Sequence, residues 1–125
     1  MSAETLGIDV SFEEGYLLIR TVGPIDDRTW PSLLTAFGTA AKKHQCSRFF
    51  LDHRASKLRL GMTDIYKMPA DLRQHGIDGH RSALVFSDVG ESERFLEDVC
   101  ANRGVHVKVF TDTDRALAWL MGAGA

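Results

Sequence analysis

The 125-residue sequence lacks an excess of charge of either sign: 15 lysines and arginines stand against 17 aspartates and glutamates. A dedicated nucleic-acid binder would carry a clear basic excess, so the composition argues against a nucleic-acid partner. The sequence also lacks any apolar run near the ~20 residues that a membrane span needs. The first residues, Met1-Ser2-Ala3-Glu4, have neither the basic stretch nor the apolar core of a signal peptide. We therefore expect a cytoplasmic protein.

Cysteine is scarce as well, and neither Cys46 nor Cys100 belongs to a Cys-x-x-Cys pair, which argues against a zinc ribbon or a thioredoxin-like redox site. We expect two reduced, buried thiols, with a disulfide between them as the alternative. The five histidines lack metal-binding spacing, such as positions i and i+4 of one helix. Phosphate loops, dinucleotide fingerprints and nucleophile elbows are absent too. The sequence thus predicts no metal, no cofactor and no catalytic residue.

What is present is enough apolar sequence for one core, since 44% of the residues are hydrophobic and no linker or internal repeat divides them. We expect a single domain over residues 1–125. Alternating and continuous apolar segments predict strands near residues 8–12, 16–22, 48–52, 82–87 and 105–110. Helical spacing predicts four helices near residues 30–41, 63–76, 91–103 and 113–121. The resulting order is β-β-α-β-α-β-α-β-α.

This order predicts an α/β fold with a five-stranded mixed sheet: a leading antiparallel hairpin followed by parallel βα units. The strands at 49–51 and 83–86 are apolar throughout, as central strands covered on both faces must be. The first and last strands alternate in polarity, which is typical of edges. Gly23-Pro24 should end the second strand, and Pro69 should kink the second helix or divide it in two.

Four segments carry a family resemblance: Phe49-Phe50-Leu51-Asp52, Met68-Pro69, Ala101-Asn102-Arg103-Gly104-Val105, and Arg115-Ala116-Leu117-Ala118-Trp119-Leu120. In this order they resemble the SpoIIAA-like family, a group of small bacterial proteins related to STAS domains and compared with the CRAL-TRIO lipid-carrier fold. The resemblance runs from about Ile8 to Leu120. It implies a βα superhelix with a leading hairpin.

The resemblance implies less about function. STAS anti-sigma antagonists carry an Asp-Ser-Ser-Gly phosphorylation motif after the third strand, whereas this chain reads Asp52-His53-Arg54-Ala55-Ser56 there. The family's phosphorylation switch is therefore not carried over. Members of the group mostly lack an assigned activity, and ligand binding or membrane association is what the resemblance implies for them.

The segment from Asp52 to Thr63 is the candidate site, and we expect it to be a loop at the carboxyl edge of the sheet, where α/β folds often bind ligands. It is basic, with large apolar side chains between the charges. Its candidate ligand- or partner-binding residues are Asp52, His53, Arg54, Ser56, Lys57, Leu58, Arg59, Leu60, Met62 and Thr63. Such a loop could contact an anionic membrane surface or gate an apolar pocket.

Simpler structural interpretations stand beside these. Leu58, Leu60 and Met62 could fold back over the core while the cations stay solvated. Thr63 has the position of a helix N-cap, which is a more ordinary role than that of a phosphoacceptor. Ser87-Asp88 could join Asp52 and Arg54 in a polar cluster, but capping of the third helix is the interpretation we favour.

Three functions follow. The leading hypothesis is a non-enzymatic binding or regulatory module for an unknown protein partner or a small apolar or anionic ligand, with peripheral membrane contact as a variant. The second is a homodimeric scaffold that pairs through exposed Phe110 and His106 on the last strand. The third, which we rank below both, is an enzyme that uses the cluster of Asp52, Arg54 and Asp88.

Overall fold

The computed structural model describes residues 5–122, so the prediction about a signal peptide, which concerns residues 1–4, lies outside the described residues. Nine elements alternate in the predicted order. The strands are β1 (Gly7–Phe12), β2 (Leu17–Ile25), β3 (Arg48–Leu58), β4 (Arg81–Val85) and β5 (His106–Phe110). The helices are α1 (Trp30–His44), α2 (Met62–Gln74), α3 (Glu91–Asn102) and α4 (Thr113–Leu120).

The five strands lie side by side in chain order, with β1 and β5 at the two edges. The β1–β2 pair is antiparallel, and the β2–β3, β3–β4 and β4–β5 pairs are parallel. This confirms the predicted α/β class, the mixed sheet and the central places of β3 and β4. The apolar β3 and β4 sequences occupy the positions that are covered on both faces, as their composition requires.

Two apolar clusters pack on opposite faces of the sheet. The larger cluster joins the inner side chains of β2, β3 and β4 to α1, α2 and α3, and includes the fully buried Leu17, Phe49 and Ile65. The smaller cluster lies under α4, where Phe50 and Val85 contact Leu120. We call the α1–α3 side the inner face of the sheet and the α4 side the outer face. Helix α4 packs on β3, β4 and β5, and Leu18 of β2 is partly buried against the same cluster, whereas Arg20 and Val22 further along β2 are exposed.

The prediction that Gly23-Pro24 ends the second strand is wrong, because β2 continues through both residues to Ile25. Pairing with β1 stops at the Gly7–Val22 pair, and beyond it β2 pairs with β3 alone. Proline lacks an N–H and is therefore tolerated in an edge strand. Pro24 lies in this edge portion of β2.

The predicted loop after the third strand is also wrong in its first half, because residues 53–58 extend β3. The last β3–β4 pair is Asp52–Val85, so this extension pairs with β2 alone. Between Arg20–Asp52 and Val22–Ala55 the register shifts by one residue, which is a β-bulge in β3. Residues 59–61 are all that remain between the end of β3 and α2.

Helix α2 runs without interruption from Met62 to Gln74, so of the two alternatives predicted at Pro69 the division into two pieces is wrong, and the kink stays a prediction. The ring of Pro69 is buried within the helix. The N-cap of α2 is Gly61, which places Thr63 one residue inside the helix rather than at its cap. Helix α3 begins after Gly90, whose N–H donates to Glu93 Oε1 at 2.7 Å, so the predicted cap at Ser87-Asp88 is wrong as well.

The cysteine prediction is confirmed in its main point, because both thiols are free. Cys100 is buried, which raises its pKa to about 11, whereas Cys46 is half-buried. On β5, His106 is exposed as predicted, but Phe110 is half-buried because its ring packs on Trp119, with centroids 5.9 Å apart. Within residues 5–122, none of the helices is long and apolar enough to cross a membrane.

Two glycines give a matched stability test. Gly38 lies inside α1, and a Cβ added there would meet the side chain of His75 at 3.6 Å, an ordinary contact distance. Gly38→Ala should therefore raise the free energy of unfolding by about 1 kcal/mol through helix propensity. Gly104, which follows α3, has a φ of +73°, a conformation that is unfavourable for alanine. Gly104→Ala should therefore lower the free energy of unfolding by about 1 kcal/mol.

Urea unfolding followed by circular dichroism measures both effects. A Gly38→Ala variant that is less stable than the parent chain would contradict the contact geometry of α1 and α2.

Candidate functional site

The bulge in β3 places two inward-facing β3 side chains opposite one side chain of β2. Thr21 lies on the inner face, and its hydroxyl joins His53 Nδ1 at 2.7 Å and Ser56 Oγ at 2.6 Å. All three side chains are buried. His53 also packs on Phe86, with ring centroids 5.3 Å apart. A regular strand would have turned residues three apart to opposite faces, so this buried triad depends on the bulge.

Burial determines the protonation state of the triad. Desolvation lowers the pKa of His53 to about 4, and the nearby Asp52 carboxylate opposes this shift only in part. The imidazole is therefore neutral at neutral pH. His53 lines a small, mainly apolar cavity of about 50 Å³ between the sheet and helices α1–α3, with Ser82 as another polar residue in its wall. This volume accommodates a few water molecules at most and is far below the roughly 300 Å³ of a small-molecule site, which makes the cavity a packing feature rather than a ligand pocket.

The outer face carries a separate polar group centred on Asp52. Arg54 donates to this carboxylate twice, from Nε at 2.9 Å and from Nη2 at 2.8 Å, and Arg20 Nε lies 3.8 Å from Oδ2. These contacts, led by the hydrogen bonds from Arg54, lower the pKa of Asp52. Asp52 is therefore ionised and lacks the raised pKa of a general acid. Asp88 is exposed after β4 and belongs to neither ion pair of Asp52.

The remaining predicted site residues are not brought together either. Leu60 is buried and Leu58 packs against the same core, which confirms the simpler interpretation for those two side chains. Lys57 and Arg59 are exposed. Met62 does not fold back: 70% of it is exposed at the start of α2, and the adjacent Thr63 is exposed too. The ten predicted residues are thus divided among the inner face, the outer face, the core and the start of α2.

The start of α2 forms an exposed surface with α3. An open groove of about 380 Å³ lies between the two helices, which we call the α2–α3 groove. Its lining residues are Leu60, Met62, Ile65, Glu91, Ser92, Arg94, Phe95 and Asp98. One turn beyond Met62, Tyr66 is 56% exposed, and its ring lies 4.4 Å from the guanidinium carbon of Arg103. Two large apolar side chains on consecutive turns thus project beside a groove with an apolar floor and a charged rim.

Sequence reasoning missed Thr21, Arg20 and Tyr66. Thr21 continues the inward alternation of Leu17 and Ile19, and this period of two could have marked it as buried. Tyr66 follows Met62 by four residues, which places both on one side of a helix. Nothing in the sequence marks Arg20 as a partner of Asp52, since that pairing follows from the register. In the described part of the chain, no group of three or more His, Cys, Asp or Glu side chains could hold a metal ion.

The buried histidine predicts loss of stability in mild acid. The pKa of His53 is about 4 in the folded protein and near 6.5 in an unfolded chain, so between these values the unfolded state binds more protons. The stabilisation is complete above about pH 6.5 and is lost as the pH falls towards 4, by about 3 kcal/mol in total. Urea unfolding at a series of pH values measures this slope.

The variant His53→Gln should be less stable at neutral pH and should have a flatter profile across the same window. His106→Gln, at an exposed site, is the matched control and should keep the slope of the parent chain. An unchanged slope in His53→Gln would show that other groups cause the acid sensitivity.

Comparison with known proteins finds similarity in structure alone: no family model matches the sequence, and no curated protein matches it. An uncharacterised DUF3478-family protein with a SpoIIAA-like fold, from Shewanella loihica PV-4, superposes with a TM-score of 0.60 at 19% identity. The match covers 96% of this chain and 97% of that one. An anti-sigma factor antagonist from Mycobacterium paratuberculosis gives a TM-score of 0.65 at 19% identity, covering 94% and 95%.

A third solved structure, the anti-sigma factor antagonist SpoIIAA in its unphosphorylated form, gives a TM-score of 0.58 at 11% identity. It covers 93% of this chain and 99% of that one. These matches extend over nearly the whole described chain and confirm the resemblance at the level of the fold. The chain has the SpoIIAA-like fold.

Proposed function

We propose that this protein is a non-enzymatic, cytoplasmic regulatory module that binds a protein partner through the α2–α3 groove together with Met62 and Tyr66. The exposure of these two side chains beside the groove carries the proposal. Methionine and tyrosine are enriched at protein interfaces, and these two residues, four apart in α2, lie on one side of the helix. Two proteins of the same fold are anti-sigma factor antagonists, which supports a protein rather than a small molecule as the partner.

The charges around the groove specify the partner further. Glu91, Asp98 and Arg94 line the groove, Asp64 lies beside the N-cap of α2, and Arg103 lies against Tyr66, which makes three carboxylates against two arginines. The surface is therefore apolar at its centre and net acidic at its rim. The complementary partner surface would present an apolar side chain surrounded by basic residues.

The geometry favours this function over membrane contact. Membrane binding by the segment from Asp52 to Thr63 would need its cations and its exposed apolar side chain on one surface. Arg54 lies on the outer face of the sheet, paired with Asp52, and Lys57 pairs with Pro24 in the β2–β3 extension. Met62 instead lies at the start of α2, which packs on the inner face. Catalysis is disfavoured because Arg54 occupies the Asp52 carboxylate on the outer face, whereas His53 is buried on the inner face.

Introducing a negative charge at the centre of the surface tests the proposal. Met62→Glu and Tyr66→Glu should each weaken partner binding at least about tenfold, as expected for central interface residues. Both side chains are exposed, so thermal stability should change little. Val22→Glu is the matched control, because Val22 is also apolar and 62% exposed but lies on the outer face of β2.

Immobilised parent chain and variants would capture partners from a lysate of the source organism, and the captured protein would then be purified for affinity measurement. The expected partner binds the parent chain and Val22→Glu, fails to bind Met62→Glu, and binds more weakly as salt increases. A partner that binds Met62→Glu and the parent chain equally would refute the α2–α3 groove as the binding surface.

A further inference from the structure

A second groove lies at the opposite end of α2 from the proposed partner surface. It has a volume of about 530 Å³ and separates the carboxyl-terminal half of α1 from the turn that joins α2 to β4. We call it the α1–α2 groove. Its lining residues are Thr35, Gly38, Thr39, Ala41, Lys42, His75, Gly76, Ile77 and His80. The volume lies within the roughly 300–1,000 Å³ range typical of small-molecule sites.

The charged and polar residues that line this groove include no acidic side chain. Its wall contains one lysine, two histidines and two threonines, and no aspartate or glutamate. Asp71 and Asp78, on the segments that flank the groove, have partners: Asp71 accepts a hydrogen bond from Trp30 Nε1 at 2.9 Å, and Asp78 lies 3.8 Å from Arg73 Nε. Lys42 gives the wall a positive charge.

The wall is also partly pre-arranged. The His80 ring is half-buried and stacks on Phe49, with centroids 5.1 Å apart. His75 Nδ1 donates to the Asp71 carbonyl oxygen at 3.2 Å, so Nε2 of the neutral ring is a hydrogen-bond acceptor. Thr35 donates to the Pro31 carbonyl oxygen at 3.0 Å, which leaves the exposed Thr39 as the threonine whose hydroxyl can donate to a ligand.

Gly38 supplies a second, independent observation. A glycine inside a helix costs about 1 kcal/mol relative to alanine. Packing within the chain does not require it, because a Cβ at this position would make only ordinary contacts with His75, at 3.6 and 3.8 Å. Gly38 lines the groove, and a side chain there would project towards His75 across it. Glycine in this position keeps the floor open for close approach by a molecule from outside the chain.

We propose that the α1–α2 groove binds a small organic molecule through an oxyanion, a phosphate or carboxylate group that contacts Lys42 and Thr39. Ammonium and hydroxyl donors suit such a group, and charge-assisted hydrogen bonds to it are the stronger kind. The carbonyl end of α1 adds partial negative charge nearby, and Lys42 and Lys43 in the last turn offset it. The volume beyond the oxyanion accommodates the body of the ligand over Gly38.

Nuclear magnetic resonance titration of the full ¹⁵N-labelled chain tests the proposal with defined probes: inorganic phosphate, ribose 5-phosphate and citrate, each against sodium chloride at equal ionic strength. Saturable shifts of the backbone amides of residues 35–42 and 75–80 are expected with at least one of the probes and not with chloride. A preference for the two phosphates identifies a phosphate group, and a preference for citrate identifies a carboxylate group.

Three variants distinguish the groove from general surface charge. Lys42→Ala should weaken probe binding about tenfold. Lys43→Ala, its exposed neighbour outside the groove wall, should leave it unchanged. Gly38→Ala should weaken binding while raising thermal stability, so loss of binding in it cannot be attributed to unfolding. Absence of saturable shifts with all three probes, or equal losses in Lys42→Ala and Lys43→Ala, would overturn the proposal.

Discussion

The parallel pairing of β2 with β3 beyond the end of β4 is the constraint on which the rest of the molecule depends. The pairing continues from Asp52 to Leu58 with one extra residue in β3, and this bulge determines which side chains face inward afterwards. It places His53 and Ser56 together against Thr21 and leaves Asp52 and Arg54 on the opposite face. This two-stranded β2–β3 extension continues beyond the last residues of β4. The start of α2, which follows it, therefore lies at an exposed end of the molecule.

The buried triad of Thr21, His53 and Ser56 shows why the β2–β3 extension can tolerate buried polar residues. A hydroxyl or imidazole buried without a partner would cost several kcal/mol, on the order of the whole stability of a small domain. Here one threonine hydroxyl satisfies two partners, and the histidine remains neutral because burial disfavours its charged form. The same bulge that permits this arrangement also separates the buried polar groups from the exposed ion pair of Asp52.

The element order, the strand order and the covered central strands could be predicted, because apolar periodicity and right-handed crossovers restrict this sequence to few arrangements. The extension of β3 could not be predicted, since the bulge within it breaks the alternation of inward and outward side chains that identifies a strand. His53, Arg54 and Lys57 therefore had the appearance of a basic loop. Leu58 and Leu60 were assigned correctly only by the simpler core interpretation. Met62 remains a candidate binding residue because it is exposed. Its exposure follows from the position where α2 begins, and the N-cap there is Gly61 rather than the predicted Thr63.

The net charge of the chain also gives no indication of how charges are distributed over the surface. A net charge of −2 results from acidic and basic regions that the fold places apart. Acidic side chains line the groove at the start of α2, whereas Lys42 and two histidines line the groove at its end. One helix thus separates two surfaces of different chemistry, and Pro69 lies buried between them within an uninterrupted helix. Since each surface has its own residues, substitutions at one end can be made without touching the other, and the two binding proposals can be refuted separately.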